Sequence, residues 1–164
     1  MNYFFCKLFA PLIRRIGELD VRLRQIESEL ESTRIAVVQS RIREFYQIQT
    51  LDNLADAEFR VYSQWGEDGI IQYLISQIPI VNQIFIEFGV ENYRESNTRF
   101  LLVNNNWSGL VMDGDSRNIE QIRSMPLYWQ HNLEAKAAFI TAENINSLIQ
   151  ESSNSKSENL EEMW

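Results

Sequence analysis

Leu12, Ile16, Leu19, Leu23, Ile26, Leu30, Thr33 and Val37 follow one another at alternating steps of four and three residues. No other feature of the chain restricts its fold so tightly. The spacing holds one apolar stripe on a single face of an α-helix for more than three heptads. The positions between are charged and nearly balanced in sign, as a solvated helix surface requires. After Val37 the stripe moves over by one residue, to Val38, Ile42 and Phe45. Such a drift marks a local change of supercoil or a handover to another packing surface. Gly17 weakens the first turns by roughly 1 kcal/mol relative to alanine. A helix of this length must bury its seam, either on a second copy or on the domain that follows. The spacing predicts a coiled coil over residues 1–49 and a homo-oligomer formed through it, with the number of strands left open. Tyr3 to Ile13 is apolar apart from Lys7, far short of the ~20 residues of a membrane span. It is read as the start of this helix, packed within the oligomer, ahead of a segment resting on a membrane surface.

The rest of the chain has a different rhythm. Residues 50–62 form a polar connector with little periodicity. Glu67 to Ile78 reads as a helix with Ile70, Ile71, Leu74, Ile75 and Ile78 on one face, ended by Pro79. Ile84-Phe85-Ile86-Glu87-Phe88-Gly89 is a short apolar run closing on glycine, the form of a buried parallel strand. Ser96 is placed to cap the next helix, with Phe100, Leu101 and Val103 toward the core. Gly109 to Asp113 reads as a second strand, followed by a helix near Ile119–Met125 that Pro126 interrupts. Ala137–Ile140 is the candidate third strand and Glu143–Gln150 a further helix. Alternating strands and helices predict an α/β fold, a parallel sheet of about three strands with helices on both faces. This domain is expected over residues 63–150, and a polar, disordered tail over 151–164.

Charge and residue counts narrow the chemistry. Residues 1–50 hold 8 basic and 6 acidic side chains, whereas residues 51–164 hold 7 and 17. A body this acidic repels phosphate backbones, so no nucleic-acid partner is expected. Cys6 is the single cysteine and His131 the single histidine. They assemble no zinc site, no metal is expected, and the lone thiol fits a reducing, cytoplasmic setting. His131 is read as a surface or loop residue.

In a doubly wound sheet, ligands sit outside the carboxyl ends of the strands. Gly89 there lets backbone approach a ligand closely, with Glu87 beside the turn. Asp113, at the end of the second strand, can accept both hydrogen bonds of a ribose diol, and Asp115 is close enough to assist. The three-glycine dinucleotide fingerprint is absent, because Val90, Glu91, Asn92 and Tyr93 follow Gly89, which disfavours an NAD-linked enzyme.

Several distinctive runs of residues follow one another along the chain: Ser63-Gln64-Trp65-Gly66-Glu67-Asp68, Phe85-Ile86-Glu87-Phe88-Gly89, Glu95-Ser96-Asn97-Thr98 and Asn106-Trp107-Ser108-Gly109-Leu110-Val111-Met112-Asp113. With Thr141-Ala142-Glu143-Asn144-Ile145-Asn146, they make residues 62–149 resemble the FkbM-like methyltransferases. The resemblance implies a partial Rossmann-like domain that binds S-adenosylmethionine and serves O-methyl transfer to a hydroxyl of a sugar or small molecule. It implies that Glu87 and Gly89 line the methionine side of the cofactor and that Asp113 holds its ribose. Ser96 and Asn97 would order the turn, and Gln64 to Asp68 would help close the pocket.

Structural roles compete with these. Trp65 is either a core anchor or a lid. Glu67 and Asp68 suit a helix N-terminus through its dipole alone. Ser96-Asn97-Thr98 also suits a cap and turn, and Trp107 suits packing. The strand–helix pattern stops after Gln150, with no segment for a fourth strand. The 164 residues are therefore expected to supply the cofactor-binding half of such an enzyme and not to transfer a methyl group alone; no catalytic base is assigned. The alternative is a non-catalytic interaction protein whose working part is the coiled coil.

Overall fold

The computed structural model describes residues 2–48 and 50–152, with side chains from residue 9 onward. Two compact units divide the chain, one up to Arg43 and one from Glu44. Helix α1 spans Asn2–Phe45, with Pro11 inside it, and makes up the first unit as far as Arg43. Ion pairs one turn apart, Arg14 with Glu18 and Arg24 with Asp20, lie along its surface. Among the described residues, no helix is long and apolar enough to cross a membrane.

The second unit begins with an aromatic cluster. The Phe45 ring stacks on Phe59 at 6.4 Å and meets Tyr73 edge-on at 5.6 Å. Phe59 in turn meets Phe100 at 5.6 Å. A 3-10 turn at Leu54–Ala57, capped by Asn53, leads into this cluster. Helix α2 is Glu67–Gln77. Ile71 and Ile75 pack on the core, but Leu74 and Ile78 are exposed, so the apolar face is narrower than the periodicity predicts.

Three strands follow, β1 (Ile84–Phe88), β2 (Ser108–Asp113) and β3 (Leu133–Ala137). They form a parallel sheet in the order β1-β2-β3, with Phe85 opposite Gly109 and Gly109 opposite Leu133. Helix α3 (Arg99–Asn105) connects β1 to β2. Two short helices connect β2 to β3, α4 (Ser116–Ser124) and α5 (Pro126–Gln130). The core lies between them and one face of the sheet: Phe85, Val111, Leu133 and Ala135 meet Leu101, Leu102, Trp107, Ile119, Ile122 and Leu127. The opposite face carries Lys136, whose ammonium pairs with Glu151. Glu151 belongs to a last helix, α6, at residues 145–152. Helices therefore lie on both faces of a three-stranded parallel sheet, the expected α/β class, although on the second face β1 stays uncovered.

Several boundaries differ from the sequence expectation. The third strand is Leu133–Ala137 rather than Ala137–Ile140, because the Leu133 and Ala135 side chains fill the core beside Gly109 and Val111. Pro126 starts α5 instead of merely ending the preceding helix, since its missing N–H is harmless at a first helical position. The cap residue of α3 is Thr98 rather than Ser96, and the helix buries Leu102 alongside Phe100 and Leu101, with Val103 half-buried. Helix α6 includes Glu151 and Ser152; the remaining tail residues, 153–164, lie outside the described residues. Among the described residues β1 bonds to β2 alone, and Ile84, Ile86 and Phe88 on one of its faces are exposed rather than buried.

Candidate functional site

The loop after β1 holds an unusual backbone. Gly89 has φ 66°, Glu91 48° and Tyr93 59°. Glycine takes such a value freely, but at glutamate and tyrosine the conformation is strained and must be held in place. Among the contacts that hold it, two involve these strained residues and partners farther along the chain. The Glu91 N–H donates to Asp113 Oδ2 at 2.9 Å. The Tyr93 ring is fully buried, and its hydroxyl lies 3.1 Å from Thr98 Oγ1. Burial pushes the Tyr93 phenol well above its ordinary pKa, so it stays protonated and able to donate.

Glu87 points from β1 into the loop that precedes α3. Its Oε2 accepts from Ser96 Oγ at 2.5 Å, Thr98 Oγ1 at 2.6 Å and Thr98 N–H at 3.1 Å. Its Oε1 accepts from the Asn97 N–H at 3.1 Å. One carboxylate thus fixes the whole turn Ser96–Thr98, and charge-assisted bonds of this kind are the stronger class.

Asp113 performs a similar task at the end of β2. Besides the Glu91 N–H, it accepts from the Asp115 N–H at 2.8 Å and from Asn118 Nδ2 at 3.0 Å, both on Oδ1. Burial raises its carboxyl, but the bonds from Asp115, Asn118 and Glu91 together outweigh that and hold it below the usual range. Asp113 therefore ties the loop after β1 to the loop after β2. Asp115 caps α4 through the Arg117 N–H and grips the Arg117 guanidinium at 2.6 Å. That hydrogen-bonded pairing lowers its carboxyl to about 2.

A third carboxylate secures the neighbouring connector. Asp68 Oδ2 accepts from the Val61, Tyr62 and Ser63 N–H groups at 2.7, 2.7 and 2.9 Å. Ser63 Oγ returns a bond, accepting from the Asp68 N–H at 3.0 Å. Gly66 makes the turn into α2 with φ 109°, and the Trp65 N–H donates to Glu67 Oε2 at 2.9 Å. Trp65 is 75% exposed, so it is no core anchor, whereas Trp107 is buried in the core.

These loops border an open cleft of about 240 Å³ lined by Gln64, Glu87, Gly89, Val90, Glu91, Glu95, Ser96 and Asn97. Of the residues singled out in the sequence, Gln64, Glu87, Gly89, Ser96 and Asn97 come together around it. Asp113 is not in its wall; it lies one hydrogen bond behind, through Glu91. Asp115 is also outside the wall and engaged with Arg117. Val90, Glu91 and Glu95 were missed, because nothing in a run of ordinary residues announces a left-handed turn. The cleft is polar and carries three acids, with the Arg60 guanidinium 3.9 Å from Glu95 at the rim. Such a lining favours a cationic ligand over a phosphorylated one. His131 is half-buried at the end of α5, remote in sequence from this lining. Among the described residues no three His, Cys, Asp or Glu side chains converge as metal ligands.

No protein-family profile, curated protein or solved structure matches the chain.

Proposed function

We propose that the cleft at the carboxyl end of β1 binds S-adenosylmethionine, as the cofactor-binding half of a methyltransferase acting on a hydroxyl of a sugar or small molecule. One observation carries the reading: Asp113 binds the loop after β2 to the strained loop after β1, beside an acid-lined cleft. A parallel α/β sheet presents its ligand site at the carboxyl ends of its strands, and the cofactor's sulfonium and ammonium suit Glu87, Glu91 and Glu95. Gly89 leaves open space where a side chain would stand, so backbone can approach the ligand there. Asp113 serves the site from behind, through its bond to the Glu91 N–H. Glu87 also fixes the Ser96–Thr98 turn that lines the cleft. Transfer would be a direct displacement in which the protein supplies alignment; no residue is assigned as base. Cys6 as the single cysteine supports a reducing, cytoplasmic setting.

Calorimetric titration of S-adenosylmethionine into the purified chain tests this reading. Saturable binding is expected, weakened about tenfold or more in Glu91→Lys, since a desolvated like-charge contact costs over 1.4 kcal/mol. Glu91 bonds to Asp113 through its backbone N–H, which this exchange retains, so the fold should stay intact. Absence of binding by a folded protein would refute the proposal.

A further inference from the structure

Helix α1 has a surface that the cleft does not use. From Leu12 to Val37 its apolar stripe is exposed, Leu19 least at 49% and Val37 most at 68%. The helix is continuous through all of it, so the heptad assignment holds without a break. Ile16, Leu23, Leu30 and Val37 occupy the a positions, and Leu12, Leu19, Ile26 and Thr33 the d positions. Arg15, Arg22 and Glu29 then fall at g, and Asp20, Glu27 and Arg34 at e.

These flanking charges select an arrangement. In a parallel, in-register pair of helices, each g residue faces the e residue five positions on in the other helix. Arg15 meets the partner's Asp20, Arg22 the partner's Glu27, and Glu29 the partner's Arg34. All three contacts are attractive, and symmetry repeats them on the other flank. An antiparallel pair matches e with e and g with g instead. Centred between Leu23 and Ile26, it sets Asp20 against the partner's Glu27. Moved by one heptad, it sets Asp20 and Arg22 each against its own counterpart, or Glu27 and Glu29 likewise. Every such register mixes like-charge contacts with attractive ones, as with Arg22 against the partner's Glu29 in the centred pair, whereas the parallel pair has attractive contacts alone. Asp20 also accepts from Arg24 within its own helix at 2.6 Å; Arg24 occupies a b position on the outer flank. Gly17 is likewise at b, away from the contact.

We propose that α1 docks against the same helix of a second copy of this chain, parallel and in register, as a homotypic coiled coil. The proposal stands independently of what the cleft binds.

The full-length chain in a Cys6→Ser background provides the test. Light scattering should give a multiple of the 19.3 kDa chain mass, and a monomer at about 100 µM overturns the proposal. Glu29→Arg should raise the dissociation constant about tenfold, because it turns an attraction into a repulsion twice per pair. Adding Arg34→Glu should restore it to within about threefold. A single exchange without effect, or a double exchange without rescue, contradicts the assigned register. Ile16→Cys should form a disulfide-linked species by itself on mild oxidation, because equivalent a positions face each other. Cross-linking only when Ile16→Cys and Thr33→Cys chains are mixed would show the antiparallel form and overturn the orientation.

Discussion

Carboxylates organise the second unit one hydrogen bond at a time. Asp68 is buried and satisfies three consecutive backbone donors with one oxygen. Asp68→Ala should therefore lower unfolding stability by roughly 3 kcal/mol or more, since stranded buried donors cost ~1–3 kcal/mol each. Urea denaturation measures this, and a change below ~1 kcal/mol would contradict the role given to Asp68. Asp113 has a pH signature. Its carboxyl is held below the unfolded value of about 3.9, so the ionised form is bound more tightly by the native state. Its contribution is fully present above pH ~3.9 and is lost as pH falls through the lowered native value. In Asp113→Asn, acid unfolding should begin no differently above that window but fall less steeply within it. Equal slopes in the two proteins would remove Asp113 from the pH response. The same substitution should loosen Glu91 and raise the cofactor dissociation constant by about tenfold, read by calorimetry.

Elements meet where glycines permit it. A Cβ on Gly69 of α2 would lie 2.0 Å from the Ala57 carbonyl oxygen and 2.4 Å from the Phe59 nitrogen. Both are backbone atoms, so Gly69→Ala should part α2 from the connector and destabilise the unit by several kcal/mol, roughly 1–3 or more for overpacking. Gly17→Ala is the opposite case. Nothing stands within 4 Å of the added methyl, and melting of α1 should show a gain of roughly 1 kcal/mol. The helix itself was legible in sequence because a heptad stripe is local, and the strands Ile84–Phe88 and Ser108–Asp113 because apolar runs end in turn residues. The third strand was misplaced because Leu133-Glu134-Ala135-Lys136-Ala137 has no apolar run; its alternation only acquires meaning beside Gly109 and Val111. Gly109 is legible only as the start of a strand; that a side chain there would meet the Phe85 ring at 2.1 Å is not. The site was legible in part for the same reason. Glu87 and Asp113 were found as acids at strand ends, but their bonds to Asn97, Thr98 and Glu91 are long-range and invisible to spacing.

On the scale of the molecule, the two units carry separable proposals: a cleft for a cationic cofactor and a helix for self-association. Disrupting one should leave the other. Leu23→Asp places a charge in the α1 seam and should abolish association, while binding of S-adenosylmethionine per chain stays the same. The central claim is the location of the cofactor, and amide chemical-shift mapping addresses it most directly. With the isotope-labelled chain and increasing S-adenosylmethionine, the largest shifts should fall on Glu87–Asn97 and Asp113–Asp115, with Ala36–Ser40 unmoved. Saturation with shifts confined to residues outside those two loops, or no shifts at all, would contradict the account.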